Sequence, residues 1–250
     1  MRTRAVLAVA LLAVAACAPQ RLPAAEEEAG GKFGADWESW RADTNVADLA
    51  SVQRGARNFT SYCLGCHSLK YQRWSRLGAD LRIPEQLLET DLLPPGAKST
   101  DYIQSHMPPA DAEAWFGKAP PDLSLMVRAR GKDYIYRMLT TFYLDPTQQT
   151  GANNLALPTT AMPDVLSELE GVKSAVFNKG VFDHFEPLAP GRMSLAEYDG
   201  FVRDTVNFLD YVSEPTQLER RQLGVWVVLF LLLFSWLTWM VKREYWKDVH

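Results

Sequence analysis

Cys63-Leu64-Gly65-Cys66-His67 places two thiols three positions apart, with an imidazole directly after them. Thiols at this spacing on one turn can add to the two vinyl groups of a haem. The following histidine then offers a ring nitrogen to the iron from below. A thioredoxin-type redox pair also uses C-x-x-C but has no need of the histidine. A zinc half-site needs a second pair of ligands, and the remaining cysteine, Cys17, stands far upstream. The motif therefore reads first as a covalent haem c site on an exported chain, with His67 as the proximal ligand.

Immediately upstream, Val46, Leu49, Val52, Ala56, Phe59 and Tyr62 recur at helical spacing. They predict an amphipathic helix over 46–62 that delivers the motif at its end. Gly55 falls inside this pattern, where it costs about 1 kcal/mol against Ala. Close approach by another element and simple tolerance both account for it. Downstream, 82–121 is rich in proline and reads as loop with one short helix near Glu85–Glu89. Asp133–Phe142 reads as helix and Leu144–Pro163 as loop. Ser194 and Glu197 form a capping-box pattern that opens a helix over 194–212. No alternating stretch of useful length predicts a strand.

The ends of the chain point to a membrane. Arg2 and Arg4 precede an apolar run, Ala5–Ala16, followed by small residues, the pattern of an export signal. Val14-Ala15-Ala16-Cys17 also fits a lipoprotein signal with an acylated cysteine, and the cleavage point stays open. Leu223–Val241 carries no charge over 19 residues, long enough to cross the hydrocarbon layer at about 1.5 Å per residue. Trp226, Trp236 and Trp239 lie towards its ends, and Arg220-Arg221 and Lys242-Arg243 bracket it. Three parts follow: signal and linker at 1–25, a haem-binding domain at 26–218, and an anchor with a short cytoplasmic tail at 219–250. The net charge is −4, while 26–218 alone carries 18 basic and 27 acidic residues. With no basic block, nucleic-acid binding is excluded as a class.

A haem iron has a sixth position. Met107-Pro108 and Met162-Pro163 both sit in predicted loops, and a loop thioether raises the potential. Met107 is the nearer to His67 along the chain; the residues alone leave the choice open.

Further strings narrow the reading. Gln53-Arg54-Gly55 leads into Cys63–Ser68. Ala119-Pro120-Pro121-Asp122-Leu123-Ser124 is followed by Arg128-Ala129-Arg130 and Asp133-Tyr134. Ala161-Met162-Pro163 and one anchor after Glu214-Pro215 complete the order. This sequence resembles the cytochrome c1 family of bacterial type, a subunit of ubiquinol–cytochrome c reductases, over roughly residues 36–250. The resemblance implies a mainly α fold, a c-type cytochrome domain with long loops and one C-terminal transmembrane helix. It implies one covalently bound haem c on Cys63 and Cys66, with His67 and Met162 as iron ligands. It sets Pro121 against the haem near His67, Arg130 near a propionate and Tyr134 near the pocket. It implies partners: cytochrome b, a Rieske iron–sulfur protein as donor, a soluble cytochrome c as acceptor, and membrane lipid. The haem domain would face the periplasm from the bacterial inner membrane. No catalysis is expected of this chain by itself. Met162-Pro163-Asp164-Val165-Leu166 departs from the family's frequent Met-Pro-Pro-Pro-Leu. Outside the resemblance, two other classes fit a haem site and an anchor: a free-standing relay cytochrome and a haem enzyme or sensor with a displaceable ligand.

Overall fold

Two helices that meet through a glycine organise the soluble part of this computed structural model, which describes residues 34–248. The expected export signal, Cys17 and His250 lie outside the described residues. Helix α1 (Leu49–Tyr62) begins where the Asp48 carboxylate accepts the Ser51 amide at 3.1 Å, an N-cap that stops the helix short of Val46. It packs on a later helix, Leu195–Ser213, which opens with the expected capping box between Ser194 and Glu197. A Cβ placed on Gly55 would lie 2.0 Å from the Asp204 carbonyl oxygen and 2.6 Å from the Phe208 Cβ. The glycine is therefore a contact point, not a tolerated defect. Phe59 and Phe208 approach with ring centroids at 5.6 Å, both fully buried, and each such side chain contributes about 2 kcal/mol of burial. Arg54 clamps Asp204 with two bonds, at 2.6 and 2.9 Å, beside the same crossing.

Between these helices the chain is less purely helical than the pattern predicts. Strands β1 (Leu69–Arg73) and β2 (Tyr102–Ile103) pair antiparallel, as do β3 (Phe142–Leu144) and β4 (Ala152–Asn154). Helix Glu85–Leu87 runs on into a wider turn, Leu88–Leu92. The proline-rich stretch also holds a helix over Pro109–Phe116, with Pro109 in its first turn, where a missing N–H costs nothing. Helix Lys132–Thr140 stops before Phe142, which belongs to β3.

The expectation of no strands is corrected most clearly by a long hairpin, β5 (Gly171–Asn178) and β6 (Val181–Pro190). Its turn is Lys179-Gly180, with φ of 50° and 83°, the two left-handed residues of a tight hairpin connection. Alternation is hidden in the sequence because an inward position is filled by Lys173. That ammonium is buried against Glu170 and the Thr140 carbonyl. Helices still outweigh strands, so the mainly α expectation holds in coarse form.

The C-terminal helix spans Gln217–Tyr245, 29 residues, and includes the whole predicted span. Its apolar side chains face outwards, from Leu223 to Trp246, and its most apolar window has a mean hydropathy of 2.2 with none of it buried. A core helix of a soluble domain would bury such a surface. Just before it, Glu214 accepts two bonds from Arg220 and lies 4.0 Å from Arg128, fastening the base of the helix to the domain.

Candidate functional site

The end of α1 makes the site. Cys63 and Leu64 amides both return to the Phe59 carbonyl, and the Cys66 and His67 amides return to the Cys63 carbonyl. The motif is thus one continuous turn, with the two thiols three positions apart and the imidazole directly after the second. Both thiols are free and half-buried. Burial pushes the Cys63 thiol up to about 12, and raises Cys66 as well. A redox-active thiol is usually shifted the other way. Among the described residues no group of three or more His, Cys, Asp and Glu could hold a metal ion, which leaves the zinc reading without further ligands.

His67 is oriented by a backbone carbonyl. Its Nδ1 lies 2.8 Å from the Pro121 oxygen. A carbonyl can only accept, so Nδ1 carries the proton and the lone pair is on Nε2, pointing away. Burial lowers the imidazole's proton affinity, against the opposing pull of that carbonyl and of Asp122. A neutral ring with one nitrogen fixed and the other free is the form that binds iron.

The carbonyl is held there by an uncommon join. Pro120 and Pro121 have no N–H, so the segment cannot pair through its first residues. The Leu123 amide donates to the Ser68 carbonyl at 2.9 Å. Asp122 accepts the Lys70 amide at 2.8 Å and Ser124 accepts the Tyr71 amide at 3.2 Å. On the other side the Ser105 hydroxyl donates to the Gly65 carbonyl at 2.7 Å, and the Ser105 amide donates to the Ser68 hydroxyl at 2.9 Å. Sequence reasoning singled out Pro121 but missed Asp122, Ser124, Ser105 and Ser68. The available signal was a Pro-Pro pair followed by Asp-x-Ser, side chains able to accept where the backbone lacks donors.

Met162 lies in the loop after β4, half-buried, its amide donating to Thr160 at 3.2 Å. Two buried asparagines shape this loop. Asn154 accepts from Ala156, Leu157 and Thr141 and donates to the Met138 carbonyl. Asn153 accepts the Thr159 amide and donates to Asp145. Met107 is half-buried, beside Ser105, whose hydroxyl accepts its amide. His106 and His184 are exposed, His184 against Asp183. Arg130 ends a short helix, Met126–Arg130, with its guanidinium 5.7 Å from the Tyr134 ring centre. It is exposed and makes no salt bridge among the described residues, while Tyr134 is half-buried against the core.

Residues 93–249 match the Cytochrome C1 family. The chain is similar to cytochrome c1 of Allochromatium vinosum, 45% identical over 216 residues, covering 84% of this chain and 88% of the relative. It is similar to a protein of Nitrosomonas europaea named ammonia monooxygenase gamma subunit, 42% identical over 210 residues with the same coverage. A mitochondrial cytochrome c1, heme protein, from Kluyveromyces lactis is 29% identical over 221 residues, 81% of this chain and 72% of the relative.

Proposed function

This chain belongs to the cytochrome c1 family, and from that premise we propose that it is the electron-relay subunit of a ubiquinol–cytochrome c reductase. It takes electrons from a Rieske iron–sulfur protein and passes them to a soluble cytochrome c, beside cytochrome b. The observation that carries this reading is the turn Cys63–His67, with two free thiols and an imidazole whose Nδ1 is fixed on Pro121.

Haem c, when bound, supplies a one-electron ferric–ferrous couple. The chain's own residues hold and tune it. Cys63 and Cys66 would hold one haem through two thioether bonds. His67 would offer Nε2 to the iron, kept neutral and in one tautomer by the Pro121 carbonyl. Met162 would supply a thioether opposite, which favours the ferrous state. Arg130, exposed and without an ion pair among the described residues, is suited to a propionate, since its planar fork matches a carboxylate, with Tyr134 beside it. With His67 and Met162 both on the iron, no ligand position would be left for a substrate, so quinol chemistry would belong to the partner subunits.

The anchor fixes the relay at the membrane. Haem attachment needs the exported side, so the domain before Gln217 faces the periplasm and Lys242–His250 lies in the cytoplasm of a bacterial inner-membrane protein. Purification in mild detergent tests the whole proposal. Cytochrome b and the Rieske protein should accompany the chain, and after acid–acetone extraction one haem should stay on a peptide containing Cys63 and Cys66. Haem released into the organic layer overturns covalent attachment. A holo-protein that purifies without cytochrome b points instead to service of another enzyme.

A further inference from the structure

Asp122 is a carboxylate that faces two backbone amides. One oxygen accepts the Lys70 amide at 2.8 Å, the other the Ser124 amide at 3.0 Å. Among the described residues it makes no salt bridge. Lys70, whose amide it accepts, has its own ammonium 5.1 Å from the Tyr71 ring centre. The residue before Asp122 is Pro121, whose carbonyl meets His67. The residue after it, Leu123, bonds to Ser68, the neighbour of His67.

We infer that Asp122 is a positioning residue for the haem iron: it sets the join that holds the Pro121 carbonyl on His67, and it places a negative charge beside that ring. The inference rests on the reading of His67 as the proximal ligand. Its physical basis is twofold. Pro120 and Pro121 have no N–H with which to pair, and the carboxylate, by accepting the Lys70 and Ser124 amides, fixes the register of 121–124 against 67–71. A firmer Nδ1–H bond gives the ring more electron density at Nε2. The half-buried charge acts through a medium less screening than water, and it favours the ferric over the ferrous iron. Both effects hold the potential below the value that the axial ligands alone would give.

The test uses the full chain with its haem in native membranes, with two readouts: the midpoint potential and the g values of the ferric low-spin EPR signal. Asp122→Asn removes the charge and turns an amino group towards an amide donor. It should raise the potential and shift the g values. Asp122→Glu keeps the charge and should bring the potential most of the way back. Ser124→Ala removes one bond of the same join without touching the charge, and should shift the potential less than Asp122→Asn does. If Asp122→Asn does not accumulate, Asp122→Ser keeps one acceptor without charge and should show the same rise. A neutral variant with haem bound and the parent's potential overturns the inference. So does an equal shift in Ser124→Ala, which would make the effect a general loosening. Failure of the underlying reading is separate: the parent would then show no covalent haem or no low-spin signal.

Discussion

The two sides of the proposed haem site are built differently. Around His67 everything lies within short reach: the motif turn on α1, Ser105 and the segment 121–124, bonded to one another residue by residue. Around Met162 the chain runs through a loop whose shape depends on Asn153 and Asn154, and it returns through a buried ion pair, Glu170 with Lys173. One side joins a motif of fixed spacing to segments 40 and 54 residues further along the chain. The other is a loop whose bonds run between residues close in sequence, 2 to 16 apart, held by buried polar groups that are costly to disturb.

The comparison breaks most visibly at the thiols. Replacing both Cys63 and Cys66 by alanine should abolish covalent haem altogether, read as loss of the haem stain on a denaturing gel. Changes on the Met162 side should keep that stain. A stained double variant would show attachment elsewhere.

Stability should sort the other way. Asn154 is fully buried with four hydrogen bonds, so Asn154→Ala should cost about 3 kcal/mol by leaving amides and a carbonyl unpaired. Ser124→Ala, which strands one amide, should cost about 1 kcal/mol. Guanidinium unfolding of the detergent-solubilised chain compares them. Equal losses would mean that both halves rest on similar supports.

A smaller effect comes from Glu170. Burial pushes its carboxyl from 4.5 up to about 7, against the pull of Lys173. The folded chain therefore keeps a proton that the unfolded chain gives up. This group's contribution is full below about pH 4.5 and is lost as the pH rises through about 7. An infrared band of a protonated carboxyl should disappear over that range and be missing in Glu170→Gln. Lys173→Met removes the attracting charge and should move the band's loss to higher pH. A band with no pH dependence across this window would show that Glu170 does not titrate there.

What could be read from sequence follows the same division. The helices ending at Tyr62 and starting at Ser194 were legible because cap, period and apolar face coincide at each. The motif turn was legible because its chemistry depends on spacing alone. The β5–β6 hairpin was not, since Lys173 takes an inward place and its partner Glu170 becomes visible only once folded. The helix over Pro109–Phe116 was hidden because proline in a first turn looks like a loop signal. Asp122 was passed over because its role lies in which amides it faces, Lys70 and Ser124, and one of those is 52 residues away. Met162 and Met107 look alike as loop methionines beside prolines; only resemblance separated them.

That last choice gives the most direct test of the account, which holds that His67 and Met162 are the two axial ligands of one covalently bound haem. The measurement is the optical spectrum and midpoint potential of the oxidised full chain in Met162→Leu and Met107→Leu. Met162→Leu should lose the sulfur-to-iron charge-transfer band and fall in potential, because a thioether favours ferrous iron, while Met107→Leu keeps both. The opposite pattern, with the band lost in Met107→Leu and retained in Met162→Leu, would contradict the account.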